Sequence, residues 1–282
     1  MAELPYLYFL HIPKTAGTSV AEVLHRVYGS EQVLPAYNWQ QLSQLPRDAM
    51  SRYRCIIGHL GPLPYVLTDR QLTTITVLRD PIERAISHIE YVRQEIRAQT
   101  GNCLEHPVAK HVDLPLEELL QVPAVRASIS NTQTRWLGLR ADASYVTDGA
   151  DRSVVRRLHA QVRELGDDEL LVRARAHLES MAVVGVVHRM DETMAAICAL
   201  LGVPPPERTP HINAGPMADG MTHRMRIGPR IAAELDNLNT HDHGLVGYAE
   251  TLLAQKMADV ALPPTQVRTA TWRRRLKRLL GL

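Results

Sequence analysis

Residues 6–19 read YLYFLHIPKTAGTS, and this stretch indicates the opening unit of the fold. The apolar, aromatic run from Tyr6 to Ile12 predicts a buried strand that leads into a loop. Apolar residues then recur at the spacing of an amphipathic helix, at Val20, Val23, Leu24 and Val27. Ser19 and Glu22 have the spacing of a capping box at the start of that helix. The sequence therefore predicts a strand, a loop and a helix in this order.

Three later runs rich in β-branched residues predict further interior strands, at Cys55–Ile57, Thr74–Leu78 and Val183–Val187. Asp80 and Pro81 follow the second of these runs as the N-cap and the first-turn proline of another helix. Strands that alternate with helices favour a parallel sheet. We therefore expect a three-layer α/β fold with a mostly parallel central sheet and additional helices.

The bulk properties of the chain narrow its class. A length of 282 residues can bury a sizeable core, and we expect residues 1–282 to form a single domain. A net charge of +2 does not favour nucleic acid as a partner. Three separated cysteines without a C-x-x-C pattern favour a reducing compartment over a disulfide framework. Because no leader or membrane-spanning run is visible, the expected location is cytoplasmic.

The last segment, residues 262–282, is basic and amphipathic. Its apolar residues fall at approximately helical spacing, at Trp272, Leu276, Leu279 and Leu280. Such a tail could make weak contact with an anionic membrane surface, which would place the protein at the membrane periphery. The favoured alternative is a helix that packs on the parent domain and keeps its arginines in water.

The loop His11–Ser19 has the composition of an anion site. Backbone N–H groups at the start of the following helix lack helical partners, and Gly17 allows the backbone to approach a phosphate closely. Lys14, one of four lysines in the chain, adds a positive charge. The hydroxyl donors of the loop are Thr15, Thr18 and Ser19. The same residue types also favour turns and caps, so the loop alone leaves a purely structural role open.

The order of residues in this loop differs from that of a Walker A loop. Lys14 comes three positions before Gly17, whereas the lysine of G-x-x-x-x-G-K-[ST] directly follows a glycine. The pattern therefore argues against an ordinary ATPase or kinase.

A second segment places charge at the same predicted edge of the sheet. Arg79 follows the strand Thr74–Leu78, where open α/β sheets bind ligands, and its guanidinium can hold a phosphate by two hydrogen bonds. One stripe of the next helix contains Arg84, Ser87, His88 and Tyr91. Arg84 could contact a ligand or pair with Glu83 or Glu90 on a solvated face, and the pattern does not choose between them.

The two segments together, HIPKTAGTS at 11–19 and LRDPIERAIS at 78–87, resemble the motifs of sulfotransferases that use 3′-phosphoadenosine-5′-phosphosulfate (PAPS). The resemblance is to bacterial sulfotransferases and to carbohydrate sulfotransferases related to heparan sulfate 2-O-sulfotransferase. It implies that Arg79 and Ser87 hold the 3′-phosphate of PAPS. It also implies a P-loop-like phosphosulfate-binding loop formed by Lys14, Thr15, Ala16, Gly17, Thr18 and Ser19. Weaker similarity extends to residues 57–59, 131–138, 184–189 and 239–244.

The implied activity is in-line transfer of a sulfonate group from PAPS to an acceptor hydroxyl, which requires a base and a cation near the leaving oxygen. Lys14 is the expected cation. His59 is the favoured base because it follows a predicted strand, and His11 and His88 are the alternatives. The resemblance favours a carbohydrate acceptor, while lipid, peptide tyrosine and small-metabolite hydroxyls stay open.

Two other classes of protein remain as alternatives. A kinase-like phosphoryl transferase would depend on ATP and magnesium, and a non-catalytic anion- or membrane-binding protein would bind without transfer. No metal is expected, since His241 and His243 lack a full ligand set and a helix cap explains Asp242 between them.

Overall fold

The computed structural model describes residues 3–46, 48–100, 103–146, 152–206 and 221–259. Within these ranges a four-stranded sheet forms the centre of the molecule. Its strands are β1 Leu7–Leu10, β2 Cys55–Gly58, β3 Thr73–Leu78 and β4 Val183–Val186. All of the strand pairs are parallel, and the strand order is β2-β1-β3-β4. The predicted parallel α/β sheet is therefore confirmed.

Helices connect and cover the strands. In chain order they are α1 Gly17–Tyr28, α2 Trp39–Leu42, α3 Ala49–Arg52, α4 Pro64–Leu67, α5 Pro81–Arg97, α6 Leu116–Leu119, α7 Pro123–Ile129, α8 Thr132–Gly138, α9 Arg152–Glu179, α10 Met190–Leu201, α11 His223–Arg226, α12 Pro229–Leu238 and α13 Thr240–Asp259. Short 3₁₀ segments lie at Ser30–Gln32, Pro107–His111, Ala143–Val146 and Val187–Arg189. Helix α9 is broken at Gly166, where φ is 73°.

The strands are covered on both faces. Every strand residue except Thr73 is buried, which a sheet achieves only when other elements pack on each side. This burial agrees with the expected three-layer arrangement. Helix α5 begins as predicted, because Asp80 Oδ1 accepts the Glu83 N–H at 3.0 Å and Pro81 occupies the first turn.

The capping box predicted at Ser19 and Glu22 is wrong. Helix α1 begins at Gly17 because Ala16 turns the backbone in the left-handed conformation, with φ 60° and ψ 28°. Ser19 therefore lies inside the first turn and is buried, and its N–H donates to Ala16 O at 3.2 Å. Glu22 instead forms an i, i+4 ion pair with Arg26 at 3.0 Å.

The strand order creates a switch point at the centre of the sheet. β1 lies between β2 and β3, so the chain leaves β1 toward one side and later leaves β3 toward the other. Leu10 at the end of β1 is paired with Gly58 of β2 and Thr76 of β3. Because the strands are parallel, the residues that follow them meet at one edge, which is where open α/β sheets bind ligands.

A large apolar cluster contains the strands, α1, α10 and α13, and a second one lies beneath α5, α7 and α12. No helix in the described part of the chain is long and apolar enough to cross a membrane. The segment 262–282, where a basic amphipathic tail is predicted, lies outside the described residues.

Candidate active site

The loop between β1 and α1 has a backbone shape that suits an anion. Lys14 and Ala16 both adopt left-handed conformations, with φ 72° and 60°. The N–H groups of residues 14–17 donate to no backbone carbonyl within the described ranges. Buried Thr15 steadies the turn through a hydrogen bond from Oγ1 to Ile12 O at 2.9 Å. Strained residues and unpaired N–H groups at a helix N-terminus are typical of anion-binding loops.

The Lys14 ammonium lies beside this loop in a partly buried position. Its Nζ is 4.5 Å from the centroid of the Tyr91 ring, a cation–π contact with helix α5. Burial and the nearby Arg79 charge lower the pKa of Lys14, while the carboxylates of Glu90 and Glu95 act in the opposite direction. Lys14 is thus one of several basic groups gathered at the switch point.

Arg79 joins the loop across the edge of the sheet. Its guanidinium donates to Lys14 O at 3.3 Å and lies 3.5 Å from the Glu83 carboxylate. The side chain is 19% exposed, so it is held against the protein and still reaches solvent. Burial lowers the pKa of Arg79 and Glu83 opposes this shift. The structure therefore brings together the two predicted basic residues, Lys14 and Arg79.

Ser87 and Arg84 have different surroundings although they share a stripe of α5. Ser87 is partly exposed, and its hydroxyl has no hydrogen-bond partner among the described residues. Arg84 is fully buried and donates to Ile129 O at 3.1 Å. It therefore does not lie on a solvated face, and its guanidinium is not exposed to a ligand in solvent. Burial lowers the pKa of Arg84 to about 10, and the Asp242 charge opposes this shift.

His59 is oriented with one nitrogen ready to accept a proton. Its Nδ1 lies 2.7 Å from His11 O, and because a carbonyl only accepts, Nδ1 must carry the hydrogen. The neutral ring therefore has an unprotonated Nε2, which lacks a partner in the described ranges and, unlike His11 Nε2, is not sealed from solvent. Burial lowers the pKa of His59, and Lys14 lowers it further against the effect of the carbonyl bond.

The backbone around His59 explains the glycine that precedes it. His59 N donates to Tyr37 O at 2.7 Å, and a Cβ on Gly58 would lie 2.4 Å from the same oxygen. Only a glycine permits this approach without a shift of the chain. The Gly58-His59 pair is thus shaped by the neighbouring segment at Tyr37.

The two alternative bases are less suited to proton transfer. His11 is 6% exposed, its Nδ1 is bonded to Tyr37 Oη, and its Nε2 is buried without a partner. In the other pair, Val108 N donates to His106 Nδ1 at 3.2 Å, so the His106 hydrogen is on Nε2 and faces His88 Nε2 at 3.0 Å. His88 then carries its own hydrogen on a buried Nδ1 and offers no free acceptor. The geometry favours His59 among the three.

Gly17 is required by packing with a residue of its own loop. A Cβ at this position would lie 1.9 Å from His11 Nε2, closer than any real contact. The His11 ring in turn stacks on Phe9, with ring centroids 5.3 Å apart, and cannot retreat freely into the core. Packing against His11 is thus a second reason for a glycine at this position, and it does not depend on the close approach of a phosphate.

Aromatic residues that the sequence pattern did not reveal surround His59. Tyr37 and Trp136 each form a T-shaped contact with the His59 ring, at centroid distances of 4.8 and 6.1 Å. Trp136 belongs to α8 and lies in one of the weakly similar segments, which was the available signal. Its position beside His59 follows from packing between elements far apart in sequence.

The segments around Asn131 and Asp242 cap each other's helices. Asp242 accepts the N–H groups of Gln133 and Thr134 at 3.0 and 2.7 Å, at the start of α8. Asn131 Oδ1 accepts the His241 N–H at 3.1 Å, at the start of α13. Asp242 is therefore a helix cap, as expected, but for α8 and not for its own helix.

The two histidines that flank Asp242 have separate partners. His241 Nε2 lies 2.7 Å from Asp168, and His243 Nε2 lies 2.8 Å from Asp236. Within the described ranges, no group of three histidine, cysteine or acidic side chains could hold a metal ion.

Comparison with protein-family models and with curated protein sequences gave no match to this chain. The chemical interpretation therefore depends on the two motifs and on their placement. The described site offers unpaired backbone N–H groups, an ammonium, a guanidinium and an imidazole with a free Nε2. Such a set can bind a multiply charged anion and accept a proton from a neighbouring hydroxyl.

Proposed function

We propose that this chain is a PAPS-dependent sulfotransferase that transfers the sulfonate group to a hydroxyl of an acceptor, with a carbohydrate as the favoured class. The observation that carries the proposal is the meeting of both motifs at the switch point of the sheet. Arg79 of the second motif donates to Lys14 O of the first at 3.3 Å. His59 stands beside them through its bond to His11 O at 2.7 Å.

The residues present fit a donor with two separate anionic groups. The loop Lys14–Ser19, in which the N–H groups of residues 14–17 donate to no backbone carbonyl of the described residues, would act as a P-loop-like site for the 5′-phosphosulfate. Arg79 and the unpartnered hydroxyl of Ser87 would hold the 3′-phosphate, which distinguishes PAPS from ordinary nucleotides. When bound, PAPS would supply the sulfonate group, whose sulfur bonds to the acceptor oxygen while its bond to the phosphate oxygen breaks.

The residues of the chain would share the remaining work. His59 Nε2 accepts the proton of the acceptor hydroxyl, because its Nδ1 is already occupied as a donor to His11 O. Lys14 offsets the negative charge that develops on the leaving oxygen, and the loop N–H groups hold anionic oxygens. The proposal requires no metal ion, since these groups supply the positive charge.

Binding of adenosine 3′,5′-bisphosphate, the product of the donor, is the first test. Calorimetric titration would compare this ligand with ATP plus magnesium on wild type, on Arg79→Ala and on Arg173→Ala. Arg173 is the matched control, because it also forms an i, i+4 ion pair, with Glu169 at 2.9 Å. We expect wild type and Arg173→Ala to prefer the bisphosphate and Arg79→Ala to lose most of that preference. A preference of wild type for ATP would instead support the kinase alternative and overturn the proposal.

Turnover separates an enzyme from an anion-binding protein. Labelled PAPS would be supplied with a panel of carbohydrate, lipid, tyrosine and small-metabolite acceptors. We expect transfer by wild type, and a loss of about 100-fold or more in His59→Ala with bisphosphate binding retained. Normal turnover in His59→Ala would refute the assignment of the base. Tight bisphosphate binding by wild type without transfer to any acceptor would favour the non-catalytic alternative.

A further inference from the structure

The side-chain amide of Gln133 binds the backbone of Arg79 at two points. Arg79 N donates to Gln133 Oε1 at 2.9 Å, and Gln133 Nε2 donates to Arg79 O at 2.8 Å. The side chain of Gln133 is completely buried in α8, 54 residues further along the chain. An amide that satisfies both backbone groups of one residue fixes that residue much as a neighbouring strand would.

Arg79 needs this support because of its place in the sheet. The pairing of β3 with β4 ends at Leu78 and Val186, so Arg79 lies one residue beyond the ladder. The Gln133 amide thus extends the hydrogen-bonded region by one position. It determines where the Arg79 Cα sits, and from there the guanidinium reaches Lys14 O at 3.3 Å and Glu83 at 3.5 Å.

Gln133 is itself held from the opposite side by helix α13. Its N–H donates to Asp242 Oδ2 at 3.0 Å, and Thr134 N donates to Asp242 Oδ1 at 2.7 Å. Asp242 is fully buried, and its charge favours the charged form of the buried Arg84. The position of the clamp is therefore set by contacts that lie behind the site and do not touch a ligand.

We infer that Gln133 is a positioning residue that holds Arg79 where it recognises the 3′-phosphate of the donor. The inference rests on the proposed function, because it concerns the same donor site. Gln133 would act through Arg79 alone and would not contact the ligand. It follows that a change at Gln133 should weaken binding only of ligands that carry a 3′-phosphate.

The chain contains a second clamp of the same kind, which provides a control. Arg140 N donates to Gln161 Oε1 at 3.2 Å, and Gln161 Nε2 donates to Arg140 O at 2.6 Å. This clamp joins the end of α8 to α9. Loss of the Gln161 amide removes the same two types of hydrogen bond, together with one from Gln161 Nε2 to Tyr145 Oη at 2.5 Å, without a direct effect on Arg79.

The test compares Gln133→Met with Gln161→Met, because methionine keeps the length of the side chain and removes both polar groups. Binding of adenosine 3′,5′-bisphosphate and of adenosine 5′-monophosphate would be measured by calorimetry, and stability by urea unfolding. In Gln133→Met we expect the affinity for the bisphosphate to fall about tenfold, which is the size of effect expected from the loss of a pair of buried hydrogen bonds. The affinity for the monophosphate should stay within about twofold. Gln161→Met should lose stability and leave both affinities unchanged.

A double variant makes the test specific to Arg79. If Gln133 acts through Arg79, Gln133→Met should cause no further loss of bisphosphate affinity in an Arg79→Ala background. Equal losses for both ligands, or an undiminished effect of Gln133→Met in that background, would overturn the inference. If Gln133→Met does not fold, Gln133→Asn replaces it, because the shorter amide no longer reaches both Arg79 N and Arg79 O and adds no charge beside the buried Asp242, to which Gln133 Nε2 also donates at 3.5 Å. Wild type decides the proposed function separately, because failure of that proposal appears as no preference for the bisphosphate before any variant is made.

Discussion

The substitution Gly17→Ala tests the packing of the loop on the switch point. The added Cβ would lie 1.9 Å from His11 Nε2 and within 2.3 Å of two ring carbons of His11. The imidazole cannot simply rotate away, since it stacks on Phe9 and is bonded to Tyr37. Either the ring or the start of α1 must therefore move.

The expected cost follows from two opposing effects. Overpacking of a well-packed interior costs about 1–3 kcal/mol. Replacement of glycine by alanine also restricts the unfolded chain, and this stabilises the folded protein by about 0.4–1 kcal/mol where the native backbone tolerates a side chain. Because no positive φ is involved at Gly17, we expect a net loss of about 1–2 kcal/mol in the free energy of unfolding. Gly247→Ala in α13 is the control, since a Cβ there meets nothing within 4 Å, and should be neutral or stabilising.

Urea unfolding of a double-mutant cycle would measure the effect. His11→Ala removes the ring that the new methyl group meets, so Gly17→Ala should cost less than about 0.5 kcal/mol in that background. An equal cost of Gly17→Ala with and without the His11 ring would refute the packing explanation. The glycine would then be required by the backbone of the loop itself.

Three further predictions concern charge. Burial lowers the pKa of His177 to about 4, so as the pH falls below about 6.5 the unfolded chain binds a proton at His177 before the folded chain does. We therefore expect about 3 kcal/mol of the stability present at pH 7 to be lost by pH 4, and urea unfolding of His177→Phe should show a smaller pH dependence. Asp242→Asn should cost about 3 kcal/mol or more, because its amide nitrogen would face one of the two N–H groups that Asp242 accepts at the start of α8, and Arg84 would lose its counter-charge. Urea unfolding that shows a loss below about 1 kcal/mol would contradict the capping role. Because the pKa of His59 is lowered, the turnover rate should stay constant as the pH is lowered through neutral values and should fall only below about pH 6.5. A rate that already falls above about pH 7 as the pH is lowered would argue against His59 as the base.

Much of the fold could be predicted from local patterns. The strands were expected at Tyr6–Ile12, Cys55–Ile57 and Thr74–Leu78, and each is present within one or two residues at either end. The start of α5 was also predicted, because Asp80 and Pro81 are neighbours of the turn that they form. These features depend on side chains close together in sequence, where propensity and periodicity are informative. The predicted capping box was wrong because Ala16 adopts the left-handed conformation and α1 begins at the next residue, Gly17. Residue type alone does not reveal that conformation.

The components of the candidate site were also visible in the sequence, since Lys14, Arg79 and His59 each follow a predicted strand. Parallel strands place such residues at one edge, so their meeting could be expected before any coordinates. What the pattern could not choose was the base. That choice depends on which nitrogen of each histidine is already bonded, and the partners lie at His11 O for His59 and at His106 for His88.

The sequence by itself thus determined the parallel α/β class, the loop that precedes α1 and the basic residues at the edge of the sheet where the strands end. The tertiary structure decided the tautomer of His59, the burial of Arg84 and the clamp of Gln133 on Arg79. The physical reason is the range of the interactions. Periodicity records which face of an element is buried, whereas a hydrogen bond between residues 54 or 109 positions apart depends on how whole elements pack.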